Sequence, residues 1–345
     1  MAMTDTLDGT LRTLMAEHRV PGLAFAVFGD GQITGARSYG VADSAGTVPV
    51  TNATRFQAAS ISKCGTALAA LRLVDQGRLT LDEAVNDRLQ TWKIPPSEWL
   101  PSEPVTLRRL LSHQAGITVH GFAGYAAGQP LPTLTEILNG TPPANNSAIR
   151  VDTVPGSQAR YAGGGYTVVQ QLLVDVTGQT FPDLMQSMVL QPLGMSVSTF
   201  EQPLPVAWEK FAATGHDPQG RPLAGGAHRY PEMAAAGLWT TPADLAKFAL
   251  GIQGALTGRT DAILSAPLAR EMLTVQAGNF GLGPLLTGQG PARKWYHTGR
   301  NAGFDALLLG EAETGKGVAM MMNANVNPPV FNKILKAIAV MTGST

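Results

Sequence analysis

Charge is the scarcest ingredient of this chain. Of 345 residues only 14% are charged, and 25 Lys and Arg cancel 25 Asp and Glu. That balance leaves no basic stripe to neutralise phosphates, so nucleic acid is excluded as an expected partner. Cysteine is almost missing. Cys64 stands alone, so no intrachain disulfide can form, and its place in an apolar stretch makes it a small core residue rather than a nucleophile. No apolar run is long enough to span a membrane, so no membrane partner is expected. The start, Met1-Ala2-Met3-Thr4-Asp5, lacks the basic, apolar and small-residue sections of a signal peptide, and the expected location is cytoplasmic. Without secretion, the sequons Asn52-Ala53-Thr54 and Asn145-Asn146-Ser147 carry no meaning. No pair of histidines has metal-ligand spacing with an acidic residue between, and no Walker-type loop is present, so neither metal nor cofactor is expected.

What the chain has in quantity is 39 Gly and 24 Pro, more turns than a simple helical bundle needs. Its length suits one large domain or two closely packed ones. Leu7, Leu11, Leu14 and Met15 fall on one side of a helix over Asp5 to His18. Gly22 to Phe28 and Ile33 to Tyr39, separated by Gly29-Asp30-Gly31, predict a β-hairpin. A helix from Ser60 to about Gln76 stops at Gly77. Helices are expected over Gly165–Val176, Phe181–Val189 and Pro242–Ile252. Strands are expected over Asn279–Leu286, Ala292–His297, Phe304–Leu309 and Gly317–Met322, with a closing apolar helix over Val330–Met341. Strands at both ends with helices between predict an α+β fold: an antiparallel β-sheet flanked by helices, plus an inserted all-helical region. The expected division is 1–58 and 279–345 for the sheet and 59–278 for the helical part.

Chemistry concentrates at Ser60-Ile61-Ser62-Lys63. From Cys64 to Leu71 the chain carries no charge, the pattern of a helix packed on all sides. A lysine in its first turn is therefore anomalous, because a buried ammonium must be paired or lose its proton more readily. Residues three apart share a helix face, so Ser60 and Lys63 can meet, a hydroxyl beside a potential base. The plainer alternative makes Ser60 an N-cap and lets Lys63 reach the surface.

Three segments carry a resemblance. Ser60-Ile61-Ser62-Lys63 is the first. The second is Pro155-Gly156-Ser157-Gln158-Ala159-Arg160-Tyr161-Ala162-Gly163-Gly164-Gly165-Tyr166. Trp295-Tyr296-His297-Thr298-Gly299-Arg300 with Ala302-Gly303-Phe304 is the third. In this order they resemble the three motifs of the serine β-lactamase and penicillin-binding-protein superfamily, in the class C β-lactamase-like branch with its family VIII esterases, D-amino-acid peptidases and amidases, and acyltransferases. Leu110-Leu111-Ser112-His113-Gln114-Ala115-Gly116-Ile117 is similar to that group's LLxHxSG segment. Gln191-Pro192-Leu193-Gly194-Met195 is similar to its PLGM turn, and Ala236-Gly237-Leu238-Trp239-Thr240-Thr241-Pro242-Ala243-Asp244-Leu245 to its GGLWST-x-x-DL stretch. The resemblance implies an active site at the junction of sheet and helical region.

It also implies roles. Ser60 is the candidate nucleophile, and its backbone N–H, at a helix start, is one oxyanion donor; the second is the N–H of Arg300. Lys63 and Tyr161 share the proton network, and either can take the serine proton; the alternative for Tyr161 is a core aromatic with a bonded hydroxyl. His297 stands where β-lactamases usually carry lysine, as a hydrogen-bond donor to the site or as a structural histidine. Thr298, Gly299 and Arg300 are expected at the substrate, with Gly299 letting substrate approach the backbone. Gly163 stands where many relatives have an asparagine that binds the amide of penicillin-like substrates. Apart from the resemblance, His113 is expected to brace a turn near the site and His228 and Arg229 are candidates for the pocket mouth, with a structural role favoured for each of these, as for Gln114 and His216. The expected activity is serine hydrolysis of a small carboxylic ester through an acyl-enzyme, family VIII esterase-like. The alternatives are a D-stereospecific peptidase or amidase, an acyltransferase, or a non-catalytic ligand binder. The expected partner is a small-molecule ester or amide, and the oligomeric state stays open.

Overall fold

The computed structural model describes residues 2–342. Its strands, in chain order, are β1 (Gly22–Gly29), β2 (Gln32–Gly40), β3 (Phe56–Gln57), β4 (Trp239–Thr240), β5 (Leu285–Thr287), β6 (Lys294–Asn301), β7 (Phe304–Glu311) and β8 (Gly317–Met322). The first two form the expected hairpin. Asp30 and Gly31 at its tip both take positive φ, 51° and 74°, as a two-residue turn matched to strand twist requires. Six strands make one sheet in the order β2-β1-β8-β7-β6-β5, every pairing antiparallel. Because β1 lies beside β8, the two ends of the chain build the sheet together.

Both faces of that sheet are covered. On one, Leu7, Leu11 and Met15 of the helix Ala2–Glu17 and Val330, Ile334 and Ile338 of the helix Pro328–Thr342 pack on Leu23, Phe25, Val27, Val318, Met320 and Met322. The four-residue spacing on each helix makes a single apolar stripe. On the other face Ala24, Ala26, Phe28, Ala319 and Met321 join the main core. β1 is buried along its whole length, so it reads as a continuous apolar run rather than an alternation. Helix Pro242–Leu256 packs across β1 and β8 through Leu245, Phe248, Ala249 and Ile252. The sheet layer thus draws one helix from the middle of the chain, from within 59–278. Among the described residues no helix is long and apolar enough to cross a membrane.

Two strand boundaries differ from expectation. Of Asn279–Leu286 only Leu285 and Leu286 join the sheet, because Gly283 at φ 109° and the following Pro284 keep the residues before them out of the ladder. β6 starts at Lys294, after a 3-10 turn at Gly290–Ala292, and runs on to Asn301. Its partner β5 reaches only from Lys294 to Tyr296, so Thr298 to Asn301 present an open edge. That edge faces the turn Ala59–Ile61.

Candidate active site

Ser60 sits in the middle of the 3-10 turn Ala59–Ile61, immediately before the helix Ser62–Asp75. The turn is strained: Ala59 has φ 49°, in the left-handed region that a side chain disfavours. Four contacts hold it. Ala58 N–H donates to Leu238 O at 2.8 Å and Ile61 N–H to Ala58 O at 3.1 Å. Ser62 Oγ donates to Ala59 O at 2.5 Å and accepts from Leu238 N–H at 3.0 Å. The pairing of β3 with β4 brings Leu238 there. The first N–H that the turn closes is that of Ile61, so the Ser60 N–H lies ahead of the ladder.

Lys63 is 2% exposed although it carries an ammonium. Nζ donates to Ser60 Oγ at 3.1 Å and to Ala235 O at 2.7 Å. It also lies 5.0 Å from the ring centroid of Tyr161 and 5.6 Å from that of Tyr166, where the π faces favour a cation. Among the described residues no carboxylate pairs with it. The apolar helix therefore delivers its one lysine to the serine hydroxyl, not to solvent, and Ser60 is not a simple N-cap.

Tyr161 stands in a cage of rings. Its centroid is 4.3 Å from that of His113, 5.1 Å from His120, 6.1 Å from His297 and 6.4 Å from Phe280. His113 fixes the segment around Tyr161 twice: its carbonyl accepts from Arg160 N–H at 2.8 Å and its Nδ1 from Ala162 N–H at 3.1 Å. Since Nδ1 accepts, the neutral ring carries its proton on Nε2. His113 itself has φ 59°, and burial, followed by the charge of Lys63, holds its pKa well below the usual histidine range.

His297 is 2% exposed. Its Nδ1 lies 2.6 Å from Thr298 O; a carbonyl only accepts, so Nδ1 carries the proton and Nε2 the lone pair. Burial, and next the charge of Lys63, push its pKa down to about 3. This position therefore supplies no cation near neutral pH. The sign for stability follows directly. Below about pH 6.5 the unfolded chain protonates this histidine while the folded chain does not, so stability falls as pH drops from there toward about 3. At one pKa unit per about 1.4 kcal/mol the loss is a few kcal/mol at the acid end. Urea unfolding of the wild type and His297→Gln between pH 7 and pH 4 is expected to show a shallower acid decline for the variant. Comparing the two cancels other buried groups, such as Glu232, whose carboxyl burial pushes up to about 7. Parallel curves would refute the assignment.

The cavity in front of Ser60 has a volume of about 490 Å³ and brings together Ser60, Lys63, Tyr161, His297, Thr298 and Arg300. Two expected substrate contacts sit elsewhere. A Cβ on Gly299 would lie 2.0 Å from Ala58 O, so this glycine admits the chain's own serine turn rather than substrate. Gly163 is buried at the start of the helix Gly163–Thr177 and does not line the cavity. The Arg300 side chain forms a two-pronged ion pair with Asp305, both contacts 2.7 Å, leaving its backbone as the part available at the open edge. His228 and Arg229 line a neighbouring hollow with Gln202 and Glu209, not the serine cavity. His216 is tied to Asn323 O at 3.1 Å, and Gln114 donates to Ser112 Oγ at 2.8 Å. Cys64 is buried, with its thiol pushed up to about 12 by burial, which suits a core residue.

Sequence reasoning missed His120, Phe122 and Leu285 on the cavity wall and the bracing role of Asn301. Asn301 Nδ2 donates to Gln57 Oε1 at 2.8 Å and to Ala236 O at 3.1 Å. It ties the end of β6, next to Arg300, to the segments on either side of Ser60. None of these four belongs to a spaced motif; they meet only through the fold.

Known proteins share this arrangement of chain. The Beta-lactamase family model matches residues 7–341. Penicillin-binding protein 4 of Amycolatopsis lactamdurans is 28% identical over 344 residues, covering 94% of this chain and 86% of that protein. Esterase EstB of Burkholderia gladioli is 30% identical over 240 residues, covering 63% of this chain and 56% of its own length. Among solved structures, the octameric penicillin-binding protein homologue from Pyrococcus abyssi superposes with a TM-score of 0.81 at 26% identity, over 99% of this chain and 78% of that one. With nearly every residue of the chain inside the match, this protein belongs to the Beta-lactamase family.

Proposed function

We propose that this chain, as a hydrolase of that family, cleaves carboxylic esters of small molecules through an acyl group carried on Ser60. The observation that carries the reading is the buried Lys63 Nζ, 3.1 Å from Ser60 Oγ. With one proton fewer, the same contact takes the hydroxyl proton as Oγ attacks the ester carbonyl. Tyr161, caged beside the ammonium, is the second member of the network. The carbonyl oxygen, now an oxyanion, is held by the N–H of Ser60 and that of Arg300, as the family resemblance implies. The alcohol leaves with the proton. Water then adds to the acyl carbonyl, its proton passes to the same network, and the acid departs as Ser60 recovers its hydrogen.

Esters are favoured over penicillins and cephalosporins by what the cavity lacks. His297 is neutral where a lysine would carry charge, and Arg300 is committed to Asp305. Among the described residues of the cavity wall, a lactam carboxylate finds no lysine or arginine free of a carboxylate beyond Lys63; the missing hydrogen bond to charge is worth about 1.5–3 kcal/mol, or about one to two orders of magnitude in rate. On one preparation, kcat/KM for a p-nitrophenyl short-chain ester is expected to exceed that for a chromogenic cephalosporin. A cephalosporin that wins would refute the substrate assignment and leave the serine chemistry standing. D-amino-acid amides in the same panel test the peptidase alternative, and an added alcohol acceptor tests acyl transfer.

A further inference from the structure

The position of Gly163 is not an empty slot. A Cβ built there would lie 3.1 Å from His120 O and 3.1 and 3.4 Å from Cε2 and Cδ2 of Phe122. At Gly164 it would lie 2.5 Å from Thr118 O. The glycines let the loop 118–122 lie directly on the start of the helix Gly163–Thr177, where Gly163 N–H donates to His120 O and Gly164 N–H to Val119 O, both 2.9 Å. Two backbone bonds from a rigid helix therefore fix where the loop turns, and Phe122 follows two residues later. Its half-buried ring lines the cavity with Ser60, Lys63 and Tyr161, while Gly163 does not. Leu285, Ala235 and Ala236 are the other apolar members of that wall.

We infer that Phe122 is the specificity-determining residue of this cavity, and that it selects esters with a compact apolar acyl group, a short alkyl chain or a single aryl ring. This rests on the reading of Ser60 as the nucleophile. The acyl group is the part concerned, because the alcohol leaves after attack while the acyl group stays on Ser60 until water arrives. A flat ring held by its neighbours gives that group a dry surface and no hydrogen-bond donor. An amide-bearing acyl group would lose its bonds to water there without replacement, which costs far more than a missing methylene.

The test uses p-nitrophenyl acetate, butyrate and benzoate with wild type, Phe122→Ala and Phe122→Leu. Holding the leaving group constant makes each kcat/KM ratio report the acyl group alone. Phe122→Ala is expected to lower the butyrate-to-acetate ratio by about tenfold, the size of one apolar contact in a pocket. Phe122→Leu keeps the bulk and is expected to lower the benzoate-to-butyrate ratio several-fold, so the inference stays testable if the alanine variant does not fold. Ratios within twofold of wild type in the folded variants would overturn it. A fluorophosphonate probe on wild-type protein separates the two levels: an adduct on Ser60 with unmoved ratios sinks only the role of Phe122, whereas no adduct sinks the serine reading itself.

Discussion

Ser60→Ala is expected to give a folded protein with no measurable acyl transfer. Removing a catalytic serine costs on the order of a million-fold in kcat where it has been measured in serine hydrolases. The fold has little stake in that hydroxyl. Its contact with Lys63 Nζ is one of two hydrogen bonds the ammonium makes, and the Ala235 carbonyl remains. Net loss of one such bond is about 1 kcal/mol. The strained turn is held by Ala58, Ile61, Ser62 and Leu238, none of which the substitution touches. A thermal melt near that of wild type, with no p-nitrophenol release and no fluorophosphonate adduct, is the expected pair of results. Near-normal turnover with every ester, amide and lactam tried would end the assignment.

The second large effect belongs to Lys63 and Tyr161 together. Lys63→Ala and Tyr161→Phe are each expected to slow acylation by about 10²- to 10⁴-fold, the usual range for a proton-transfer group. The double variant is expected to be little slower than the worse single one. On the proposed function the two groups serve one proton network at Ser60: the ammonium touches Ser60 Oγ and lies 5.0 Å from the Tyr161 ring, so losing either group is expected to interrupt the same transfer. Single-turnover acylation rates in a double-mutant cycle measure this, and additive free energies would show two independent groups. Lys63→Ala also strips a buried carbonyl, that of Ala235, of its donor. It is therefore expected to lower stability by about 1–3 kcal/mol, and the rates belong well below its melting temperature.

Local pattern made much of the framework legible. The hairpin Gly22–Gly40, the serine helix, the helix Pro242–Leu256 and the last three strands all follow from period and turn residues. The places where pattern failed share a cause. Asn279–Leu286 is apolar enough for a strand, but Gly283 and Pro284 act on backbone geometry, which hydrophobic pattern does not register. Gly299 suggested room for substrate. Its neighbour proves to be Ala58 of this same chain, 241 residues away in sequence. Gly163 suggested a missing side chain, but the space belongs to Phe122.

The sequence by itself placed a serine hydroxyl and a lysine amine within reach of each other. Ser60 and Lys63 are one helical turn apart, so local geometry alone makes them neighbours, and apolar surroundings mark the lysine as one that stays inside. Tertiary structure decided everything that depends on residues far apart in the chain. It set the Tyr161 cage, with rings drawn from positions 113, 120, 280 and 297. It made His297 a neutral acceptor by burying it beside Lys63, and it tied the Arg300 guanidinium to Asp305. Charge state and side-chain direction are set by the dielectric and partners that packing supplies, and no residue carries those in its own identity.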